Sequence, residues 1–410
     1  MASAALKNSL WSVPLLVAAL GYFVDIYDLL LFGIVRVQSL QSLHLSEAQV
    51  TTEGMRIISY QMYGLLLGGI LWGVLGDKKG RLKVLFGSIL LYSIANITNA
   101  FVTDTLSYSL IRIVAGIGLA GELGAGITLV SEMMSKEKRG YGTMIISSVG
   151  MLGAVFAAII GLNLPWQTAY KIGGILGFLL LALRFGVAES GMYQHMKQQS
   201  RVPKGNFFYL FANRTRFIKY LKCIFIGLPT YFIVGLLLTG APELVKTVFN
   251  LEVEPTLVAK LVIVTYTAIA VADIGCSWLS QKLQSRRIPL LLFLGISLVG
   301  TLLILFFPIT QMEQVYVIFS ILGCSIGFWA VMMSNATEQF GTNIRAMATT
   351  TVPNFIRGLL IPMTFIFQAL KPGLGIQYSL AIVGIPVILM AIYAAYSSEE
   401  TFNKDLDYVE

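Results

Sequence analysis

Residues 73–86 read GVLGDKKGRLKVLF, and residues 277–290 read SWLSQKLQSRRIPL. The two stretches align without a gap at an offset of 204 residues, each a short basic turn between long apolar runs. A second pair of landmarks repeats at nearly the same interval. Glu132 stands seven residues before Arg139, and Glu338 seven before Arg345, an offset of 206. Two independent landmarks at one spacing imply that the chain is two copies of a single design.

Composition identifies the solvent around that design. With 56% hydrophobic and 12% charged residues, the chain is too apolar for a water-facing surface and belongs in a bilayer. Apolar runs of about 20 residues, long enough to cross roughly 30 Å of hydrocarbon as helices, occur twelve times: 12–35, 56–76, 84–103, 106–131, 141–163, 168–188, 222–241, 258–281, 289–308, 314–336, 347–370 and 374–396. Gly and Pro within these runs are compatible with membrane helices, and the short alternating segments of a β-barrel are absent. The first run follows one Lys and no small-residue cleavage motif, so it reads as a retained span.

The expected organisation is an all-α membrane protein of twelve transmembrane helices in two pseudo-symmetric six-helix bundles, 1–188 and 222–396. A basic connector, 189–221, joins them and an acidic tail, 397–410, follows. Lys and Arg collect in alternate loops, including Lys78, Lys79, Arg81, Lys83, Lys136, Lys138, Arg139, Lys282, Arg286 and Arg287, whereas the opposite loops hold little beyond Arg36, Lys246 and Lys371. By the positive-inside rule both termini are then cytoplasmic in a plasma (inner) membrane. The net charge of +8 follows from topology and calls for no nucleic-acid partner. Cys223, Cys276 and Cys324 have no CxxC spacing and His44 and His195 are the only histidines, so neither a disulfide framework nor a metal site is expected.

Gly73, Asp77, Gly80, Arg81 and Lys83 match the G-x-L-x-D-x-x-G-R-K/R pattern that major facilitator superfamily transporters carry between their second and third helices. The chain resembles that superfamily along essentially its whole length. The stretch RIVAGIGLAGELGAGITLVSE at 112–132 and the acidic-aromatic DIYDLLLFG of the first run are similar to the metabolite:cation symporter branches. The resemblance implies a twelve-helix transporter that rocks between access states, and it links Arg112 with proton movement or substrate contact. One departure is Gln281, which stands where the first half has Asp77 and implies an asymmetric gate.

The loop chemistry can also be read directly. Gly80 permits a tight turn, Asp77 can accept from a helix N-terminus, and Arg81 can tie helix ends by charge pairing. Glu132 with Arg139, and Glu338 with Arg345, read as latches on the same face. Once loops and latches are removed, six ionisable residues read as lying at depth: Asp25, Asp28, Arg112, Glu122, Asp273 and Arg357. Each costs roughly 2.5–3.5 kcal/mol at the bilayer centre on insertion scales, so each is a functional candidate.

Asp25 and Asp28, three residues apart, share a helix face within about 5–6 Å. In a dry site both cannot comfortably ionise, so one holds a proton or the two share a cation. They read as a coupling-ion site or as the cationic half of a substrate site. Glu122, between Gly121 and Gly124, is placed to face the first-half cavity beside them, about 15 Å along the axis from Arg112 and out of its reach. Arg357, one turn after Asn354, is suited to an anionic group such as a carboxylate. Asp273 reads as structural or gating.

The expected function is secondary active transport: import of a small polar metabolite, an amino acid or organic acid, by symport with H+ or, second, Na+. The alternative is an efflux antiporter for drugs or metabolites, which typically carries Gly-Pro in the fifth helix. SSVGMLGAVFAAIIG at 147–161 has no Pro. No enzyme, no cofactor and a monomer in the lipid bilayer complete the expectation.

Overall fold

The computed structural model describes residues 12–186, 207–254 and 256–409. Fifteen helices carry the membrane-crossing segments: α1 (Val13–Ser42), α2 (Glu47–Lys79), α3 (Arg81–Asn99), α4 (Thr105–Leu119), α5 (Glu122–Met133), α6 (Arg139–Asn163) and α7 (Trp166–Leu183) in the first half. The second half holds α8 (Arg214–Tyr231), α9 (Leu238–Thr247), α10 (Leu257–Leu283), α11 (Arg287–Phe306), α12 (Met312–Ser325), α13 (Trp329–Gln339), α14 (Arg345–Gly358) and α15 (Leu360–Tyr396).

Local chemistry sets the ends. Pro14 occupies the first turn of α1, where its missing N–H is harmless. The Asp104 carboxylate accepts from the amides of Leu106 and Ser107 at 2.9 and 2.8 Å to start α4, and Asn213 accepts from Thr215 to start α8. The seventh crossing therefore begins at Arg214, inside the stretch assigned to the connector. The rest of that connector, 189–206, lies outside the described residues.

Eleven helical stretches among the described residues are long and apolar enough to span a membrane. The last, Arg345–Tyr396, has 52 residues, about 78 Å of helix at 1.5 Å per residue and enough for two crossings. It turns at Gly375, whose φ of 72° breaks the helical path. Twelve crossings result, in agreement with the sequence.

Four crossings are broken at mid-depth, the eleventh of them at Leu359 between α14 and α15. The fourth divides at Ala120–Gly121 and the tenth at Ile326–Phe328, places related by the 206-residue repeat. The seventh widens into π-helical turns over Phe232–Leu237, just after Pro229. Such interruptions free backbone groups inside the bundle and often mark functional sites.

The halves meet along two seams, α6 against α10 and α2 against α14. Gly69, Gly73 and Gly76 of α2 lie directly against Asn354, Met347 and Ala346 of α14, a stripe that lets the backbones approach. On the far side from the basic loops the halves part into a cleft of about 730 Å³.

Candidate substrate and coupling site

Asp25 and Asp28 do not act as a pair: each is taken by a different arginine. Arg112 of α4 donates from Nη1 to Asp28 Oδ1 at 3.0 Å and from Nη2 to the Asp28 carbonyl at 3.2 Å. Its guanidinium also lies 5.7 Å from the centre of the Tyr170 ring. Arg357 of α14 reaches Asp25 Oδ2 at 3.5 Å. In place of a shared cation, Asp28 meets an arginine of the first half and Asp25 one of the second.

Arg357 is the centre of the inter-bundle site. Its Nε donates to Tyr231 Oη at 2.9 Å and its Nη1 to Asn354 Oδ1 at 3.4 Å. Asn354 in turn donates to the Ala120 carbonyl at 2.8 Å, one of the backbone groups released by the break in the fourth crossing. The substrate-side arginine and the broken helix of the opposite half are thereby tied together. Beside them lies a pocket walled by Tyr22, Tyr231, Tyr266 and Trp329. Tyr22 Oη, Trp329 Nε1, Thr230 Oγ1 and Asp25 Oδ1 are buried without hydrogen-bond partners. Such groups cost free energy unless something supplies their hydrogen bonds.

Glu122 does not reach the cleft. Its carboxylate pairs with Arg184, which also donates to the Leu85 carbonyl, and both side chains crowd Gly21 one turn from Asp25. Arg184 was absent from the expected site although it stands inside the run 168–188. The depth argument applied to the other span charges would have found it. Asp273 accepts from the Ala330 amide at 3.0 Å and caps α13 after the tenth crossing's break.

The face carrying the basic loops is shut. Asp77 accepts from the amides of Ala346 and Met347 at 3.1 and 2.9 Å, capping α14 of the other half. Gly80, at φ 108°, turns α2 into α3 and delivers Arg81, which donates to Glu132 at 2.9 Å and to the Thr342 carbonyl at 3.0 Å. The repeated Glu and Arg landmarks exchange partners across the seam. Glu132 pairs with Arg345 at 3.1 Å, and Glu338 pairs with Arg286 at 2.9 Å and approaches Arg139 at 3.9 Å. Each glutamate also takes an arginine of its own half, Arg81 for Glu132 and Arg286 for Glu338, so the two latches interlock. Gln281, at the position of Asp77, packs against Gly140 and caps nothing.

The family model for the Major Facilitator Superfamily matches residues 18–361. The chain belongs to the Major Facilitator Superfamily. A Bacillus subtilis protein assigned to niacin/nicotinamide transport, NiaP, is 27% identical over 360 residues, covering 85% of this chain and 86% of that one. The 3-(3-hydroxy-phenyl)propionate transporter of Escherichia coli is 32% identical over 148 residues, 35% and 37% of the two chains. Among solved structures, the proton:xylose symporter XylE superposes with a TM-score of 0.70 at 16% identity, over 96% of this chain and 97% of that one. This superfamily member is therefore a multi-pass membrane transporter of a small molecule and not an enzyme.

Proposed function

We propose that this transporter carries a small aromatic carboxylate inward together with a proton. The observation that carries the reading is Arg357, buried in the wall between the halves, held by a single aspartate contact at 3.5 Å and flanked by aromatic rings. A substrate carboxylate that displaces Asp25 can take the Nη1/Nη2 edge of the guanidinium bidentately, a geometry that lysine cannot copy. Its ring then lies among Tyr22, Tyr231, Tyr266 and Trp329, and the cleft leading there is walled by apolar side chains such as Leu29, Met62 and Leu360. Asp28 and Glu122 are held by Arg112 and Arg184, so Asp25 is the one carboxylate of the three left to meet an ammonium group, and the apolar walls of the cleft favour an aromatic ring over a charged amine. The names of the relatives, a niacin/nicotinamide transporter and a hydroxyphenylpropionate transporter, support the aromatic acid over the amino acid.

Coupling follows from charge conservation at the site. When the substrate anion displaces Asp25 from Arg357, a lone carboxylate is left in a buried position, which is costly unless a proton neutralises it. One anion and one proton then move as a neutral load. The basic-loop face is cytoplasmic by the positive-inside rule, so the open cleft faces outward.

Uptake of labelled nicotinate and 3-(3-hydroxyphenyl)propionate into proteoliposomes tests this. Accumulation is expected with an inward proton gradient and not with a sodium gradient alone. Accumulation of zwitterionic amino acids in place of both acids would overturn the reading.

A further inference from the structure

Arg36 lies eleven residues beyond Asp25 on α1, about 16 Å along the helix axis toward the open face. A long cation near the end of a crossing ordinarily extends its head into water. This one folds inward. Its stem lies across Gly54 of α2, its Nη1 approaches Met55 Sδ at 3.9 Å, and its Nε is buried without a hydrogen-bond partner. Among the described residues no carboxylate pairs with it.

The space in front of Arg36 is continuous with the transport route. Arg36 lines a lobe of the cleft together with Gly33, Val234, Thr239 and Tyr266. Gly33, Val234 and Thr239 also line the main cleft, and Val234 and Tyr266 line the aromatic pocket beside Arg357. A guanidinium with an open Nε donor thus stands over an apolar wall, and the pockets that share those walls lead to Tyr231, whose hydroxyl accepts from the second guanidinium, Arg357. We propose that Arg36 is an outer docking site for the substrate's carboxylate, occupied before Arg357. The proposal rests on the reading of the substrate as an aromatic carboxylate.

A single-ring acid is too short to touch both arginines, so the two sites are used in sequence. The outer charge acts on arrival: field lines confined between low-dielectric walls concentrate anions at the mouth and raise the association rate. The walls below Arg36 then accept the ring while the carboxylate is still paired, which lowers the cost of leaving water.

The test uses the full chain in nanodiscs, with nicotinate and 3-(3-hydroxyphenyl)propionate as probes and stopped-flow tryptophan fluorescence for association, alongside saturated uptake in proteoliposomes. Arg36→Gln is expected to slow association about ten-fold at low salt, to converge on wild type at high salt, and to leave saturated uptake and thermal midpoint unchanged. Arg36→Lys should recover most of the rate. Equal association rates for Arg36→Gln and wild type at low salt would overturn the docking site. So would a fall in saturated uptake with a lowered midpoint, which would make Arg36 a packing residue. Wild-type binding that is lost in Arg357→Lys but unaffected in Arg36→Gln would sink the docking site and leave the substrate reading standing; failure of wild type to bind either acid would sink both.

Discussion

Asp28 meets Arg112 through a carboxylate oxygen and its own carbonyl, at 3.0 and 3.2 Å, and both side chains are fully buried in the first half. Asp25 meets Arg357 at 3.5 Å, and Arg357 keeps Tyr231 and Asn354 if that contact is lost. The difference in partners decides what neutralising each carboxylate should do. Asp28→Asn leaves Arg112 as an uncompensated buried charge, a defect worth about 3 kcal/mol or more, and should lower the thermal midpoint in detergent. Asp25→Asn should lower it less, because its arginine retains Tyr231 and Asn354 as acceptors. It should still bind nicotinate and exchange it across the membrane, while gradient-driven accumulation is lost. Equal destabilisation by the two substitutions, or normal uphill transport by Asp25→Asn, would contradict this division. The same reasoning separates the arginines: Arg357→Lys should weaken nicotinate binding at least about ten-fold in a folded protein, since bidentate geometry is what the ammonium lacks. A Kd unchanged from wild type would remove Arg357 from the substrate site.

At the level of helices, Asp77 places a negative charge on the amides of the second and third residues of α14, where the helix dipole and the unpaired N–H groups both favour it. Asp77→Asn keeps one acceptor and loses the charge, so a cysteine placed behind the closed basic-loop face should label several-fold faster than in wild type. Unchanged labelling would reduce the turn to a topology signal. The turn itself was legible in the sequence because its demands are local: a glycine where φ is 108° and basic residues where the chain leaves the membrane. Its target was not, because Ala346 is 269 residues away and nothing in the order of residues says that α2 of one repeat faces α14 of the other. The exchanged pairs Glu132–Arg345 and Glu338–Arg139 and the separation of Asp25 from Asp28 were hidden for the same reason. Spacing fixes which residues share a helix face, and only packing fixes what that face meets. The π turns after Pro229, which carry Val234 of the cleft wall, likewise depend on tertiary contacts that substitute for the helix's own hydrogen bonds.

For the molecule as a whole, the residues after Tyr396 do more than follow the last crossing: they lie across the closed face and touch both halves. In the first half, Arg139 donates to the Lys404 carbonyl at 2.8 Å and Lys136 pairs with Asp405 at 2.8 Å. In the second, Arg345 donates to the Leu406 carbonyl at 2.5 Å, the Thr342 amide donates to the Tyr408 carbonyl at 2.8 Å, and Thr401 donates to Glu338 at 2.9 Å. Leu406 is buried there at 2% exposure, which an acidic tail in solvent would not require. Contacts that join the halves only when this face is shut favour the shut state by their whole differential energy. Deleting residues 399–410 should therefore speed labelling of a cysteine behind the closed basic-loop face and raise the rate of substrate exchange, with Arg357-dependent binding intact. The docking also carries a pH signature. Burial alone would raise the Glu400 carboxyl, but it accepts from the Arg286 amide, the Ser285 hydroxyl and the amides of Phe402 and Arg287, and the net shift is downward. A group lowered in the docked state stabilises docking above its ordinary range and loses that contribution as pH falls through the lowered value. Labelling should accordingly rise on acidification in wild type, and Glu400→Gln should label at neutral pH as acidified wild type does. A truncated chain that labels no faster than the full one would show that the two halves hold each other shut without the strap.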